Sequence, residues 1–247
     1  MASKFERMLP WPEDDFSRYG EITTTKLGKI QSFVGKVMDR NWVSIPHVTH
    51  HDDIDISDLE ARRVSWNQTY PEQKRSILPA LMKAVVQVLK QYPQFNCSLA
   101  ADGETVTQKH YYHIGFAADV PSGLVVPVVK DCDTRTLQEI ADDIADKSAR
   151  AKGKGLPMSD MSGGCFTISS LGHIGGTGFS PIINAPEVAI LGVCKARSVF
   201  VPDADGLPVS RLMLPVSLSY DHRVINGADA ARFMLALGAA LEDFQFS

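Results

Sequence analysis

Ser217-Leu-Ser-Tyr-Asp-His-Arg-Val-Ile-Asn-Gly-Ala-Asp229 carries a strand into a turn and out again into a helix, with one histidine at the corner. Leu212, Leu214, Val216, Leu218 and Tyr220 alternate with Met213, Pro215, Ser217, Ser219 and Asp221. That period of two predicts a strand ending at Tyr220 or Asp221. Asn226 is placed to cap a helix running from Ala228 to Phe244. An unperturbed histidine titrates near pH 6.5, so an imidazole held at such a corner can take and return a proton near neutrality. Taken alone, His222 reads better as a satisfied core histidine, because it shares strand parity with Leu218 and Tyr220.

The flanking segments mix helix and strand. A helix is expected from about Thr25 to Asn41, where Leu27, Ile30, Phe33, Val34, Val37 and Met38 fall at helical spacing before Pro46. His47 to Ile56 alternates as a strand, and Ser57-Asp-Leu-Glu60 has the spacing of a capping box for the next helix. Ile77 to Gln91 is amphipathic, with Leu81, Ala84, Val85, Val88 and Leu89 on one stripe. Leu137, Ile140 and Ile144 mark another helix, to about Lys152. Strands are expected at Asn96 to Leu99, Val106 to Val120, Leu124 to Lys130, Cys165 to Ser169 and Val188 to Val193. The first 18 residues, rich in Pro, Asp and Glu, read as an extended arm, and residues 19–247 as one domain. Because helices and strands do not alternate strictly, an α/β fold is predicted, with a mixed sheet and helices packed on one side rather than a doubly wound nucleotide fold.

Composition narrows the function. With 247 residues, 44% of them hydrophobic, the chain can bury one large core. A net charge of -4 and no basic stripe argue against nucleic acid. The most apolar run, around Ile77 to Leu89, contains Lys83 and is too short to span a bilayer, so no membrane partner is expected. No leader-like segment opens the chain, and Cys97, Cys132, Cys165 and Cys194 form no Cys-x-x-Cys pair, which suits reduced thiols and a cytoplasmic location.

Asp221-His222-Arg223-Val-Ile-Asn226-Gly227 resembles the His-Arg-x-x-(Asp/Asn)-Gly signature of the dihydrolipoamide acyltransferases of 2-oxo acid dehydrogenase complexes. A second block, from Cys165-Phe-Thr-Ile-Ser169-Ser-Leu-Gly172 through Asn184-Ala-Pro-Glu-Val-Ala-Ile-Leu-Gly192, is similar to the family's serine-bearing strand and the loop after it. Trp42 to Thr49, His113 to Asp119 and Gly123 to Val129 extend the likeness over nearly the whole chain. The resemblance implies the chloramphenicol acetyltransferase-like fold, a homotrimer with each active site between two subunits, and trimers that associate further into a cube of 24 chains or a dodecahedron of 60. It also implies an N-terminal arm lying on a neighbouring subunit, and Phe244 and Phe246 as a terminal plug into a neighbouring trimer.

The implied reaction moves an acyl group between a dihydrolipoyl thiol and the thiol of coenzyme A. Thiols with pKa values of about 8–9 are mostly protonated at pH 7, so a base is needed. The resemblance assigns it to His222. It assigns oxyanion stabilisation to Ser169, ahead of its neighbour Ser170, as a hydrogen-bond donor and not a nucleophile, and the chain lacks the Gly-x-Ser-x-Gly elbow that an acyl-serine would suggest. Asn226 stands where many members carry aspartate; it is expected to brace the site, to cap its helix, or both. Arg63 is expected near the coenzyme A phosphates, although Arg62 and Arg63 equally suit a solvated helix face. Asp119 resembles a substrate-channel carboxylate and also suits a turn. Arg223 is expected to pair with Asp221 or another carboxylate.

No bound cofactor is expected: coenzyme A enters as substrate, and the lipoyl group would come from a lipoyl domain that this sequence lacks, making it a catalytic core. Lipoyl domains and the dehydrogenase components would be its partners. Within the family the likeness is greatest to acetyl-transferring members of bacterial pyruvate dehydrogenase complexes. Succinyl or branched-chain transfer, a non-catalytic scaffold and an antibiotic acetyltransferase are the rival readings. His47, His51 and Asp53 share one strand face, but at no zinc-site spacing, so no metal is expected. Gly172-His-Ile-Gly-Gly-Thr-Gly178 lacks the Gly-Lys-Ser/Thr ending of a phosphate loop and is read as a tight turn.

Overall fold

A computed structural model describes residues 12–120 and 123–246. Long antiparallel pairing organises it: β1 (His47–Asp55) lies along one edge of β11 (Pro208–Asp221), in register from His47 opposite Asp221 to Asp55 opposite Met213. Along the other edge run β9 (Ala189–Val193) and then β10 (Arg197–Pro202). The sheet continues through β8 (Phe166–Ser170), β4 (Ile114–Phe116) and β7 (Val128–Val129). β4, β8 and β9 are mutually parallel and the other pairs antiparallel, so the sheet is mixed, as expected. Two small hairpins stand apart from it, β2 (Cys97–Leu99) with β3 (Val106–Gln108), and β5 (Ala118–Val120) with β6 (Gly123–Val125).

Alternation along β11 sets the layers. Val216, Leu218 and Tyr220 enter the main core, where α3 (Ile77–Gln91), α4 (Leu137–Lys152) and α5 (Gly227–Glu242) cover the sheet. Leu81, Val85, Val88 and Leu89 of α3 are fully buried there, and the Phe233 ring of α5 lies 4.4 Å from Phe95 and 5.9 Å from Phe166. Each such apolar side chain contributes about 1.5–3 kcal/mol on leaving water. Ser217 and Ser219 face the other way, yet are equally buried: His51 reaches the Ser217 hydroxyl, Thr49 reaches that of Ser219, and the Phe179 backbone N–H donates to Ser217. Gly192 sits on this face beneath the Phe179 ring, where a Cβ would come within 2.7 Å of it.

Several boundaries differ from the sequence reading. The first helix, α1, is Lys29–Ser44, starting later than expected. Helix α2 (Ser57–Thr69) has Ile56 as its N-cap, and the expected capping box does not form. The Ser57 hydroxyl instead donates to Asp55 and accepts from the Leu212 N–H, while Glu60 turns to Arg63. The long strand expected from Val106 to Val120 is three short ones, and that from Leu124 to Lys130 is two. β10, with alternating exposure, was not anticipated.

Residues 12–32 are exposed throughout, and α1 buries Asn41 alone while Phe33 is 67% and Trp42 60% exposed. Residues 1–11 of the expected arm lie outside the described residues. At the other end, Phe244 and Phe246 meet edge to face at 5.3 Å and pack against this chain's own core. Arg62 ties the Glu242 carbonyl back to α2.

Candidate active site

The histidine corner is held from every side. The Asp221 N–H donates to the Val188 carbonyl at 2.8 Å and the His222 N–H to the Pro46 carbonyl at 3.1 Å. Val224 and Ile225 close the turn onto the Asp221 carbonyl, and Asn226 caps α5 by accepting from the Asp229 N–H at 2.9 Å. The Asn226 amide also donates to the Asp229 carboxylate at 2.7 Å, so both ends of that side chain serve the helix start. Arg223 pairs with the buried Asp221 carboxylate, as anticipated. His222 itself is exposed, its ring 5.9 Å from Tyr220, and not a core histidine.

A cavity of about 1100 Å³ opens elsewhere, at the carboxyl ends of β4, β8 and β9 beneath α2, α3 and α4. Arg63, Asp119, Ser170, His173, Lys152 and Cys194 all line it. Ser169 is not among its lining residues, and strand geometry explains why. Successive strand side chains alternate faces. Ser170 pairs with Val193 and through it with Val216, on the core face; Ser169 pairs with Gly192 and Ser217, on the Phe179 face. The two adjacent serines therefore look to opposite sides of the sheet. Sequence reading ranked Ser169 first and treated His173 as part of a turn; the alternation that runs through Phe166, Ile168 and Ser170 was the signal available.

Arg63 is half-buried and well occupied. Its Nε and Nη2 donate to the two Glu60 carboxylate oxygens at 2.7 and 2.6 Å, and Nη1 to the Arg75 carbonyl at 2.8 Å. The Glu60 hydrogen bond raises the guanidinium pKa further against the opposing effect of burial. The suspected metal ligands are spent on the protein itself: His47 bridges two backbone groups, His51 meets Ser217, and Asp53 pairs with Arg197 at 2.8 Å.

Within one chain the two halves of the site do not meet. Val216 shares a rung with Ser170, and His222 lies six residues on, just past the end of β11, roughly 20 Å away at the usual strand rise.

A family model described as 2-oxoacid dehydrogenases acyltransferase (catalytic domain) matches residues 19–247. The dihydrolipoyllysine-residue acetyltransferase component of the Cupriavidus necator pyruvate dehydrogenase complex is 50% identical over 240 residues, 96% of this chain and 43% of that protein. The chain thus spans under half the length of such curated relatives. Two solved structures superpose with a TM-score of 0.92 at 47% identity, covering 96% of this chain and 98% of theirs. One is the cubic core of the pyruvate dehydrogenase multienzyme complex. The other is Azotobacter vinelandii dihydrolipoamide acetyltransferase, studied for the catalytic roles of a serine, a histidine and an asparagine; its serine precedes the histidine by 52 residues and its asparagine follows it by four. Chloramphenicol acetyltransferase, at 15% identity and a TM-score of 0.54 over 85% of this chain, shows the same fold, as the sequence led us to expect.

Proposed function

We propose, since this chain belongs to the 2-oxoacid dehydrogenases acyltransferase (catalytic domain) family, that it transfers an acetyl group between a dihydrolipoyl thiol and the thiol of coenzyme A, as the core of a pyruvate dehydrogenase complex. One observation carries the assignment of roles: Asn226 follows His222 by four residues and Ser170 precedes it by 52, the spacings of the Azotobacter enzyme, and Ser170 lines the cavity. Ser169 is one residue out of that spacing, so the hydroxyl role passes to Ser170.

His222 takes the proton from the attacking thiol as its sulfur bonds to the thioester carbon. The Ser170 hydroxyl donates to the oxyanion that forms. As the bond to the departing sulfur breaks, the imidazolium returns its proton to that thiolate. Asn226 fixes the start of α5 and so the end of the turn that bears His222. Asp119 borders the channel, and Arg63 together with Lys152 offers positive charge to the coenzyme A phosphates.

Because His222 lies so far from its own cavity, the base of one copy serves the cavity of the next. A head-to-tail interface of this kind closes into a ring, here a homotrimer. The exposed apolar side chains of Leu27, Ile30 and Phe33, with the arm before them, supply surface for that contact. Trimers would associate as in the cubic core, with lipoyl domains and the dehydrogenase components as partners. Among the described residues no helix is long and apolar enough to cross a membrane, which suits the cytoplasm of a bacterium.

The test is acetyl transfer from acetyl-coenzyme A to dihydrolipoamide by the wild-type chain and His222→Ala side by side. Loss of about 10²–10⁴-fold in kcat on substitution is expected. An assembled wild type inactive with both acetyl- and succinyl-coenzyme A would leave a scaffold instead.

A further inference from the structure

The geometry points to His47 as a positioning residue for the base: its imidazole cross-links the two segments whose carbonyls hold residues 221 and 222, and so fixes where His222 stands. The inference rests on the reading of His222 as the base.

The tautomer follows from the partners. The Ile45 carbonyl, 2.8 Å from Nδ1, can only accept, and the Ile183 N–H, 3.0 Å from Nε2, can only donate. His47 is therefore the neutral imidazole with its proton on Nδ1. One bond shapes the turn of residues 45–47, whose Pro46 carbonyl accepts the His222 N–H. The other reaches the segment of residues 183–188, whose Val188 carbonyl accepts the Asp221 N–H. No other side chain serves both segments in this way among the described hydrogen bonds.

The surroundings leave the clamp little slack. Ile183 is fully buried, packs with Ile45 and Ile190, and has its carbonyl taken by the Asn41 amide at 2.9 Å. The Trp42 ring lies 5.5 Å from the His47 ring. Losing Nε2 orphans a buried N–H, and the segment must then shift to find a partner, carrying the Val188 carbonyl with it. A shift near 1 Å at a positioning group costs up to about a hundredfold in rate.

The experiment compares kcat and KM for acetyl-coenzyme A and dihydrolipoamide in the assembled wild type, His47→Ala, His47→Gln, His47→Asn and His222→Ala. His47→Ala is expected to lower kcat by about ten- to a hundredfold with both KM values held within about twofold. His47→Gln, whose amide oxygen can accept from the Ile183 N–H, recovers part of the loss; His47→Asn, which reaches only Ile45, recovers less. Should His47→Ala fail to assemble, the order of Gln above Asn decides, and equal rates overturn the proposal. An inactive His222→Ala beside a fully active His47→Ala overturns the positioning role alone. A fully active His222→Ala removes the base reading and this proposal together.

Discussion

The Arg223 guanidinium grips the Asp221 carboxylate at both oxygens, Nη2 to Oδ2 at 2.6 Å and Nε to Oδ1 at 2.9 Å, while the Arg223 backbone N–H also donates to Oδ1 at 3.0 Å. Asp221 is 2% exposed and cannot rehydrate if its partner is removed. Breaking a fully buried pair costs about 3–5 kcal/mol. With the Arg223 side chain 42% exposed the loss is smaller, and Arg223→Met should destabilise the chain by about 2 kcal/mol in chemical denaturation. Wild-type stability in that variant would mean that the turn is held by its backbone bonds alone.

The opposed faces of Ser169 and Ser170 separate their substitutions. Ser170→Ala should reduce kcat by about 10²–10³-fold, the usual effect of losing one oxyanion donor, with KM little changed. Ser169→Ala should leave turnover within about threefold of wild type. Steady-state kinetics on the two variants gives the answer, and the reverse order would return the role to Ser169.

Glu187 is buried beside Gly164 and near Lys109, with one carboxylate oxygen lacking a hydrogen-bond partner among the described residues. Burial pushes its carboxyl from 4.5 up to about 7, outweighing the Lys109 ammonium, which favours the charged form. Below pH 4.5 both folded and unfolded states hold the proton. Between there and about pH 7 only the folded state keeps it, so its contribution to stability falls as pH rises and stays low above. Glu187→Gln lacks that slope and should gain on wild type by up to about 3 kcal/mol between pH 4.5 and 8. Denaturation of both chains across that range would show a constant difference if the carboxyl were already ionised at low pH.

Burial also pushes the Cys132 thiol up to about 12, and its Sγ–H faces the Val129 carbonyl at 3.3 Å. A thiol so protonated is a poor nucleophile. Cys132 should therefore stay unmodified by a thiol reagent at pH 8 until the chain is denatured, as mass spectrometry of the labelled peptides would record. Labelling of Cys132 in the native assembly would show that this region opens.

Much of the architecture was legible because local pattern and packing agree. The helical stripe through Leu81, Val85 and Val88 and the alternation through Leu214, Val216 and Leu218 each have a single buried face, and α3 and α4 begin and end where expected, whereas α1, read from a stripe that this chain leaves largely exposed, starts later. Ser57-Asp-Leu-Glu60 misled because tertiary partners took both ends of the motif: Leu212 claimed the hydroxyl and Arg63 the carboxylate. The His222 turn and its Asn226 cap were readable from thirteen consecutive residues. Which of two adjacent serines faces the cavity was misread: family likeness alone is ambiguous by one position, and the alternation through Phe166, Ile168 and Ser170 that decides it becomes firm only once Val193 and Val216, far away in sequence, show which face of the strand meets the core. The cavity's other lining groups, Lys152 and His173, come together only through the fold.

The separation of His222 from Ser170 within one chain yields the most direct test of the whole account. His222→Ala and Ser170→Ala, each inactive alone, should be produced together so that mixed assemblies form. Where a Ser170→Ala chain lends its histidine to the cavity of a His222→Ala chain, an intact site returns, and random mixing should restore about a quarter of wild-type activity. Mixed assemblies verified by mass spectrometry that stay inactive would contradict a site shared between copies.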